Sequence, residues 1–570
     1  MIKIRNFIKT HNYLFIIAFT LLFFVFTHIS GIDSPYHQDE YKWVYYSHPE
    51  LTPPGTVPHP PLTEFIYTKL GPIVGDSNFR LIPFFFGILN FFLLLYLAKT
   101  IFNKRTALWV IFLFTISFYS LLASLMVDVD GAIMPFFFLL MAIGYFKWKK
   151  TLEIGEKIEW RWIVFLTVGA IGGFLIKVSA VLPIIAIFLD FLIENKVFSN
   201  KKKILRYILY TGGGVLILVA ILFLAKLVFP FFNLEYSMSY WKHFANSSSF
   251  LNRGWFQTFI QFFKAVLYTS PLLLVPMFFI DREIFKKTRP FFLFFFIGLF
   301  FYLFVFDFSI GALDRYFQFM VIPLCIISGA IFSQVFENQS GKIKKVHIIS
   351  LILAVLLLFC VQFFPHFVPA LHPKSEWLGR AFSLRWNFLY PFSGGSGPLG
   401  FYMSFLFMAL SWILTVLLVF IVFFKSHFRN IALVLIFSIG FAYNLAFSEE
   451  YLFGKINGSA PKVLAGAVEF IKNNPDIKMV TVYNDNGGYD IQVIGKYRKR
   501  LYVDPKFGAE GKITTLNQYK EHYLEVNVPR IDPSSFYRKY FNSCEIIYQN
   551  TDKSISATVY DCQNAPLLTL

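Results

Sequence analysis

Shortly after the first apolar segment the sequence reads His37-Gln38-Asp39-Glu40. An adjacent acidic pair just beyond a membrane span sits at the membrane–water boundary. A carboxylate there can take a proton from an acceptor hydroxyl or amine within hydrogen-bond reach. Two proline turns follow in the same loop, Leu51-Thr52-Pro53-Pro54 and His59-Pro60-Pro61-Leu62. Proline fixes the backbone, so such a turn holds a neighbouring wall in place. A plainer reading stands beside the catalytic one: Asp39 and Glu40 cap a helix that begins near Tyr41.

A second acidic pair occurs in Met126-Val127-Asp128-Val129-Asp130-Gly131, a tight turn between two apolar segments. Asp130 is either the N-cap of the helix starting at Gly131 or, with Asp128, part of one cavity with Asp39 and Glu40. Basic residues on this side are few. Arg80 opens one span, Lys177 ends Gly172-Gly173-Phe174-Leu175-Ile176-Lys177, and Arg315-Tyr316 opens another. A phosphate at the boundary calls for Arg or Lys partners. Snorkelling to lipid headgroups is the alternative for each one taken alone, and it suits Lys177 least.

The elements that must position these residues are membrane helices. Of the 570 residues 56% are hydrophobic and only 15% charged, against about 25% charged in soluble domains. Mean hydropathy is +0.57, which excludes a soluble enzyme, and 75 Phe exclude disorder. A span needs about 20 apolar residues, and the chain offers about thirteen such segments between Tyr13 and Phe447. Two of them, Trp162–Ile176 and Ala180–Ile193, are short, and one is expected over Phe401–Phe424. No cleavage site follows the first. The net charge of +18 is concentrated in alternate short loops, such as Lys147, Lys149, Lys150 and Lys201, Lys202, Lys203. That spread excludes a single nucleic-acid-binding face. It places the N-terminus in the cytoplasm and, with thirteen spans, the C-terminus outside.

Residues 1–447 therefore read as a transmembrane domain with a working outer loop over 31–78, and 448–570 as a soluble extracytoplasmic α/β domain. In the latter, Pro461–Asn473 reads as a helix, Met479–Tyr483 and Arg500–Val503 as strands, and Pro533–Tyr540 as a short helix. A hairpin centred on Lys553 sets Cys544 opposite Cys562, so the two form a bridge or remain two free thiols. Four cysteines in all exclude a disulfide scaffold. The domain either binds the acceptor or serves as a structural lid.

The order of these elements resembles the polytopic, lipid-linked-sugar glycosyltransferases of the type C fold, in the group of protein O-mannosyltransferases and bacterial aminoarabinose transferases. The resemblance covers roughly the first 180 residues: Asp39-Glu40 in the first outer loop, His59-Pro60-Pro61-Leu62, Arg80-Leu81-Ile82-Pro83, Gly87, an Asp before the fourth span and the Gly-rich approach to Lys177. Arg315-Tyr316 followed by Pro323 is a weaker echo. Aminoarabinose transferases have Lys where this chain has His59, which O-mannosyltransferases often share; this slightly favours a neutral sugar.

The resemblance implies inverting transfer of a single sugar from a polyprenyl-phosphate donor to a lipid, glycan or protein acceptor at the outer side of a cell membrane. Asp39 is implied as the general base with Glu40 as its partner. Asp130 is implied as a second acid, with Asp128 as the alternative, and Lys177, Arg80, Arg315 and His59 as candidates for the donor phosphate. No cofactor is demanded; a divalent metal on Asp39, Glu40 and phosphate is the one addition the chemistry admits. The rival class is a lipid flippase or transporter. Transporters keep ionisable groups near the bilayer midplane, whereas here the acids gather at one boundary.

Overall fold

The computed structural model describes residues 2–48, 57–155, 157, 159–197, 201–247, 254–306, 314–338, 345–363, 370–392, 399–484, 486–501, 509–528 and 530–569. The turn Leu51–Pro54 and the strand end Tyr502-Val503 lie outside them. In lipid every backbone polar group must be satisfied internally, which makes long apolar runs helical. The chain opens with α1 (Ile2–Ile29), the short α2 (Gln38–Tyr46) and α3 (Pro61–Val74), then α4 (Leu81–Ile101). A bent pair follows, α5 (Lys104–Ile116) and α6 (Phe118–Leu125), turning by 68°. Next come α7 (Ile133–Ile154), α8 (Trp160–Ile176), α9 (Val181–Glu194), α10 (Lys201–Val228) and α11 (Leu234–Ser247). The bundle continues through α12 (Trp255–Leu274), α13 (Arg282–Phe300), α14 (Val321–Asn338) and α15 (Lys345–Phe363). It closes with the short α16 (Trp377–Phe382), α17 (Phe405–Phe424) and α18 (Arg429–Leu452).

This is a multi-pass membrane protein. Each of the thirteen expected segments contains helix. Among the described residues eight helices are long and apolar enough to cross a membrane, or nine with the bent pair. The number is smaller because α7 carries Lys147, Lys149 and Lys150, and α9 has only 14 residues. The segment expected over Phe401–Phe424 is corrected at its start. Strands β1 (Leu389–Phe392) and β2 (Phe401–Ser404) form an antiparallel hairpin, and helix begins only at Phe405. Leu216 and Phe420 are among many large apolar side chains left exposed on α10 and α17, as a lipid-facing belt requires.

Two features fix the helices that carry the site. Gly144 of α7 and Gly169 of α8 each face the other helix's backbone, with no room for a Cβ; such small residues let membrane helices close together. At the opposite end of the bundle Asp190 of α9 is fully buried. It accepts from Tyr145 of α7 at 2.5 Å and from Arg289 of α13, whose Nη2 also reaches Glu194 at 2.6 Å. A buried charge persists only when paired, so α7, α9 and α13 are pinned together there.

The C-terminal part forms α19 (Ala460–Asn473), β3 (Val480–Tyr483), α20 (Gly488–Val493), β4 (Tyr497–Leu501), α21 (Ala509–Gln518) and β5 (His522–Val526). It ends with α22 (Phe536–Phe541), β6 (Glu545–Asp552) and β7 (Ile555–Asp561). The sheet runs β4-β3-β5-β7-β6, parallel across β4, β3 and β5 and antiparallel beyond. Lys553 turns the last hairpin with a positive φ of 56°. Glu545 pairs with Asp561, which brings Cys544 against Cys562 with Cα atoms 4.6 Å apart, and the two are disulfide-bonded. The domain rests on the β1–β2 hairpin: Tyr402 donates to the Asn527 carbonyl at 2.7 Å, and Asn457 donates to the Tyr402 carbonyl at 3.1 Å.

Candidate active site

Helix α2 starts at Gln38, three residues earlier than expected, which puts both acids in its first turn. They then point to different places. Glu40, at the third helical position, turns back and accepts the His37 backbone N–H at 2.9 Å. Its two oxygens also take Nη1 and Nη2 of Arg80 at 2.6 and 2.7 Å, and the Val127 N–H at 3.2 Å. Arg80 donates further to the carbonyls of Ser34 (3.0 Å), Pro35 (2.9 Å) and Leu125 (2.7 Å). All five guanidinium N–H groups are committed, and Arg80 and Glu40 are 2% and 3% exposed. The expectations for this pair are therefore corrected: Arg80 has no donor left for a phosphate, and Glu40 braces the loop instead of sharing a cavity with Asp39. Here the capping reading holds for Glu40.

Asp39 lies on the other face of the turn. Lys42, one helical turn on, donates to it at 2.5 Å, and Nη1 of Arg315 stands 3.3 Å from its second oxygen. Arg315, on the approach to α14, also pairs with Asp128. Burial works to raise the Asp39 pKa, but Arg315 and then Lys42 outweigh it and hold the carboxyl below the ordinary 3.8. For Asp128 burial prevails over Arg315, and the neighbouring Asp130 adds to it, so its pKa is raised.

Asp130 accepts from Lys177 at 2.5 Å. The helix expected at Gly131 begins at Ile133 with Ala132 as its cap, so Asp130 is free of capping and its side chain is turned to the lysine. Lys177 ends α8, and the tight α7–α8 packing brings it back to the turn before α7. Its ammonium lies 3.8 Å from the centre of the Tyr316 ring, a cation–π contact. Burial lowers the Lys177 pKa, Asp130 opposing.

His59 stands between Trp43, at 6.1 Å and nearly parallel, and Tyr240 of α11, edge-on at 6.3 Å. Enclosure of the ring lowers its pKa to about 3, with Lys177 and Arg315 adding to the effect; the imidazole is neutral. Thus Asp39, Asp128, Asp130, Lys177, Arg315 and His59 are brought together, while Glu40 and Arg80 form the brace beneath.

Several residues of this region escaped the sequence reading. Lys42 was findable from its spacing three residues after Asp39. Glu64, near the start of α3, is lifted by burial to about 7, and burial raises the nearby Tyr46 phenol to about 12, with Asp39 and Glu64 adding to it. Nothing local marks Trp43 or Tyr240, which meet His59 only through the fold.

As metal ligands Asp39 and Glu40 do not fit: the oxygens of Glu40 are taken by four N–H groups and those of Asp39 by two cations. Among the described residues no group of three or more His, Cys, Asp or Glu is placed to hold a metal. On the far side of α2 a groove of about 850 Å³ separates the outer loop (Asp33, Ser77) from the C-terminal domain (Lys462, Glu469, Tyr489, Asp490).

Residues 58–225 match the family model described as dolichyl-phosphate-mannose-protein mannosyltransferase. No curated protein matches the chain. Two crystal structures of ArnT from Cupriavidus metallidurans share the fold. The apo form aligns with a TM-score of 0.51 and 14% identity over 98% of this chain and 99% of that one. The form bound to undecaprenyl phosphate gives 0.50 and 13% over 96% and 97%. The fold is that of a type C glycosyltransferase with a small C-terminal sheet domain. The resemblance to the O-mannosyltransferase and aminoarabinose transferase group is borne out.

Proposed function

We propose that this protein is an inverting glycosyltransferase that moves a single sugar from a polyprenyl-phosphate donor to an acceptor at the extracytoplasmic face of a cell membrane. The observation that carries the reading is the alternation of carboxylates and cations at one end of the bundle: Asp39–Arg315–Asp128 beside Asp130–Lys177. It is supported by the match to a lipid-phosphate-sugar family and by the ArnT structure bound to undecaprenyl phosphate.

The residues divide the work as follows. Arg315 and Lys177 bind the donor phosphate, held in place by Asp128 and Asp130. Cations fixed in advance where negative charge develops are the largest single aid to such a step. The acceptor oxygen or nitrogen attacks the anomeric carbon from the face opposite the phosphate. The bond from that carbon to the phosphate oxygen breaks, its electrons leave with the polyprenyl phosphate, and the acceptor proton passes to Asp39. Drawing Arg315 toward the phosphate loosens its hold on Asp39, which raises the basicity of that carboxylate as the donor seats. Neutral His59 offers a ring N–H and a wall with Trp43 and Tyr240. The amino terminus lies in the cytoplasm, and the C-terminal domain covers the outer face. The basic loops support this orientation.

The test is transfer by purified protein in nanodiscs, with a panel of polyprenyl-phosphate sugars and a crude membrane acceptor extract. Sugar transfer with inverted anomeric configuration is the expected result. No transfer with any donor, together with protein-dependent movement of labelled lipid across liposomes, would assign the protein to the flippases instead.

A further inference from the structure

Helix α2 has nine residues, and isolated helices below about 12–15 residues are marginal. Asp39 is therefore held only as well as α2 is held by its neighbours. One side of α2 packs on α3 through Trp43 and Tyr67, 5.2 Å apart, and its start is tied down by Glu40 and Arg80. The groove borders the segment just before α2, where Asp33 and Pro35 line it opposite Tyr489. There α20 of the C-terminal domain meets α2, and Tyr489 makes the ring contacts. Tyr489 of α20 sits edge-on to Tyr36 at 4.8 Å and 81°, and against Tyr41 at 6.4 Å and 35°. Tyr36 and Tyr41 bracket Asp39 and Glu40 in sequence. Among the described residues Tyr489 is the one side chain of the C-terminal domain in the apolar cluster formed by Tyr36, Tyr41, Trp43, Val127 and Val129. That cluster underlies both acidic pairs.

Tyr36 links the contact onward. Its hydroxyl donates to the Asp76 carbonyl at 2.7 Å and accepts the Phe79 N–H at 2.8 Å, and the Arg80 guanidinium lies 5.2 Å from its ring centre. Gly487, just before α20, adopts φ 91°, a conformation that suits glycine and turns Tyr489 toward the loop. The C-terminal domain is anchored independently, through Tyr402 and through Arg530, whose Nη1 donates to the Leu371 carbonyl at 3.0 Å.

We infer that Tyr489 is a positioning residue: the C-terminal domain reaches over the groove and sets the placement of Asp39 through the Tyr36–Tyr489–Tyr41 contact. This rests on the reading of Asp39 as the base. The domain is then part of the transfer machinery through its wedge on α2, whichever acceptor is used.

The experiment uses the full chain in nanodiscs, with Tyr489→Ala, Tyr489→Leu, Tyr489→Phe and Asp39→Asn assayed side by side. Misplacement of a reacting group by about 1 Å costs about 100-fold. Tyr489→Ala should lower kcat by about 10- to 100-fold while the donor KM holds, because Lys177 and Arg315 are not touched. Tyr489→Leu keeps apolar bulk in case Ala disturbs folding, and should share the direction. Tyr489→Phe keeps the ring and should match wild type. Wild-type kcat in both Ala and Leu variants, or a loss that appears in the donor KM alone, would overturn the inference while an inactive Asp39→Asn left the base reading intact. Full activity in Asp39→Asn would remove the base reading itself, and the inference with it.

Discussion

Nη1 of Arg315 lies 3.3 Å from the carboxylate of Asp39. The same nitrogen also serves Asp128, so one guanidinium joins the first outer loop to the turn before α7. Replacing Arg315 by Gln should lower kcat/KM for the donor by about 100- to 1,000-fold, the scale of losing one stabiliser of developing charge. Arg315→Lys should restore little, since a compact ammonium lacks the planar fork that takes a phosphate through two parallel N–H groups. Steady-state kinetics with donor varied checks this, and near-normal kcat/KM in Arg315→Gln would count against the phosphate role.

Lys177 and Asp130 should act as a unit. Loss of a charge-assisted contact is worth about 1.5–3 kcal/mol, so Lys177→Met should raise the donor KM at least about tenfold. Asp130→Asn should move KM the same way, because it releases the ammonium that Asp130 aims. Direct binding of a polyprenyl phosphate to both variants gives the answer, and unchanged affinity in Lys177→Met would exclude it from the donor site.

Arg80 should behave differently. Breaking a buried ion pair by removing one partner costs about 3–5 kcal/mol, and Arg80 also holds three carbonyls. Arg80→Ala should therefore lose thermal stability or fail to accumulate, while the folded fraction binds donor with wild-type affinity. A stable Arg80→Ala protein with weakened donor binding would return Arg80 to the phosphate.

His59 gives a pH signature. Its folded pKa of about 3 lies below the ordinary 6.5, so the unfolded chain takes up a proton that the folded chain refuses. Stability is complete above about 6.5 and falls as the pH drops toward 3, by up to about 1.4 kcal/mol per pH unit. Asp39 adds nothing between about pH 7.5 and 5.5, because its folded pKa is held below the ordinary 3.8; its contribution is lost only as the pH falls below 3.8. Thermal denaturation at about pH 7.5 and 5.5 should show a smaller acid loss in His59→Asn than in wild type. An equal loss in both would mean the imidazole is already protonated in the fold.

The spans were legible because hydropathy dictates helix in lipid, and the residues of the candidate site were legible because charge at a membrane boundary is rare enough to stand out. The roles of Glu40 and Arg80 were not. Neighbouring residues on a helix point about 100° apart, and the start of α2 at Gln38 instead of Tyr41 puts both acids in its first turn, with Glu40 turned back onto Arg80 and Asp39 toward Arg315. The β1–β2 hairpin was hidden because Phe401–Ser404 runs unbroken into the apolar α17. Strand β5 was missed because His522 and Glu525 interrupt its apolar pattern, although both are buried. The Cys544–Cys562 pairing was legible as an alternative because a hairpin centred on Lys553 sets the two opposite. Contacts such as Tyr489 on Tyr36 depend on the docking of the C-terminal domain and leave no local trace.

The most direct test of the central claim compares wild type with Asp39→Asn in donor turnover. Both would be purified in nanodiscs and given the donor that the wild type uses, with thermal stability and donor affinity recorded alongside. Transfer should vanish in Asp39→Asn while stability and donor binding are kept. Full transfer by the variant would contradict the account at its base.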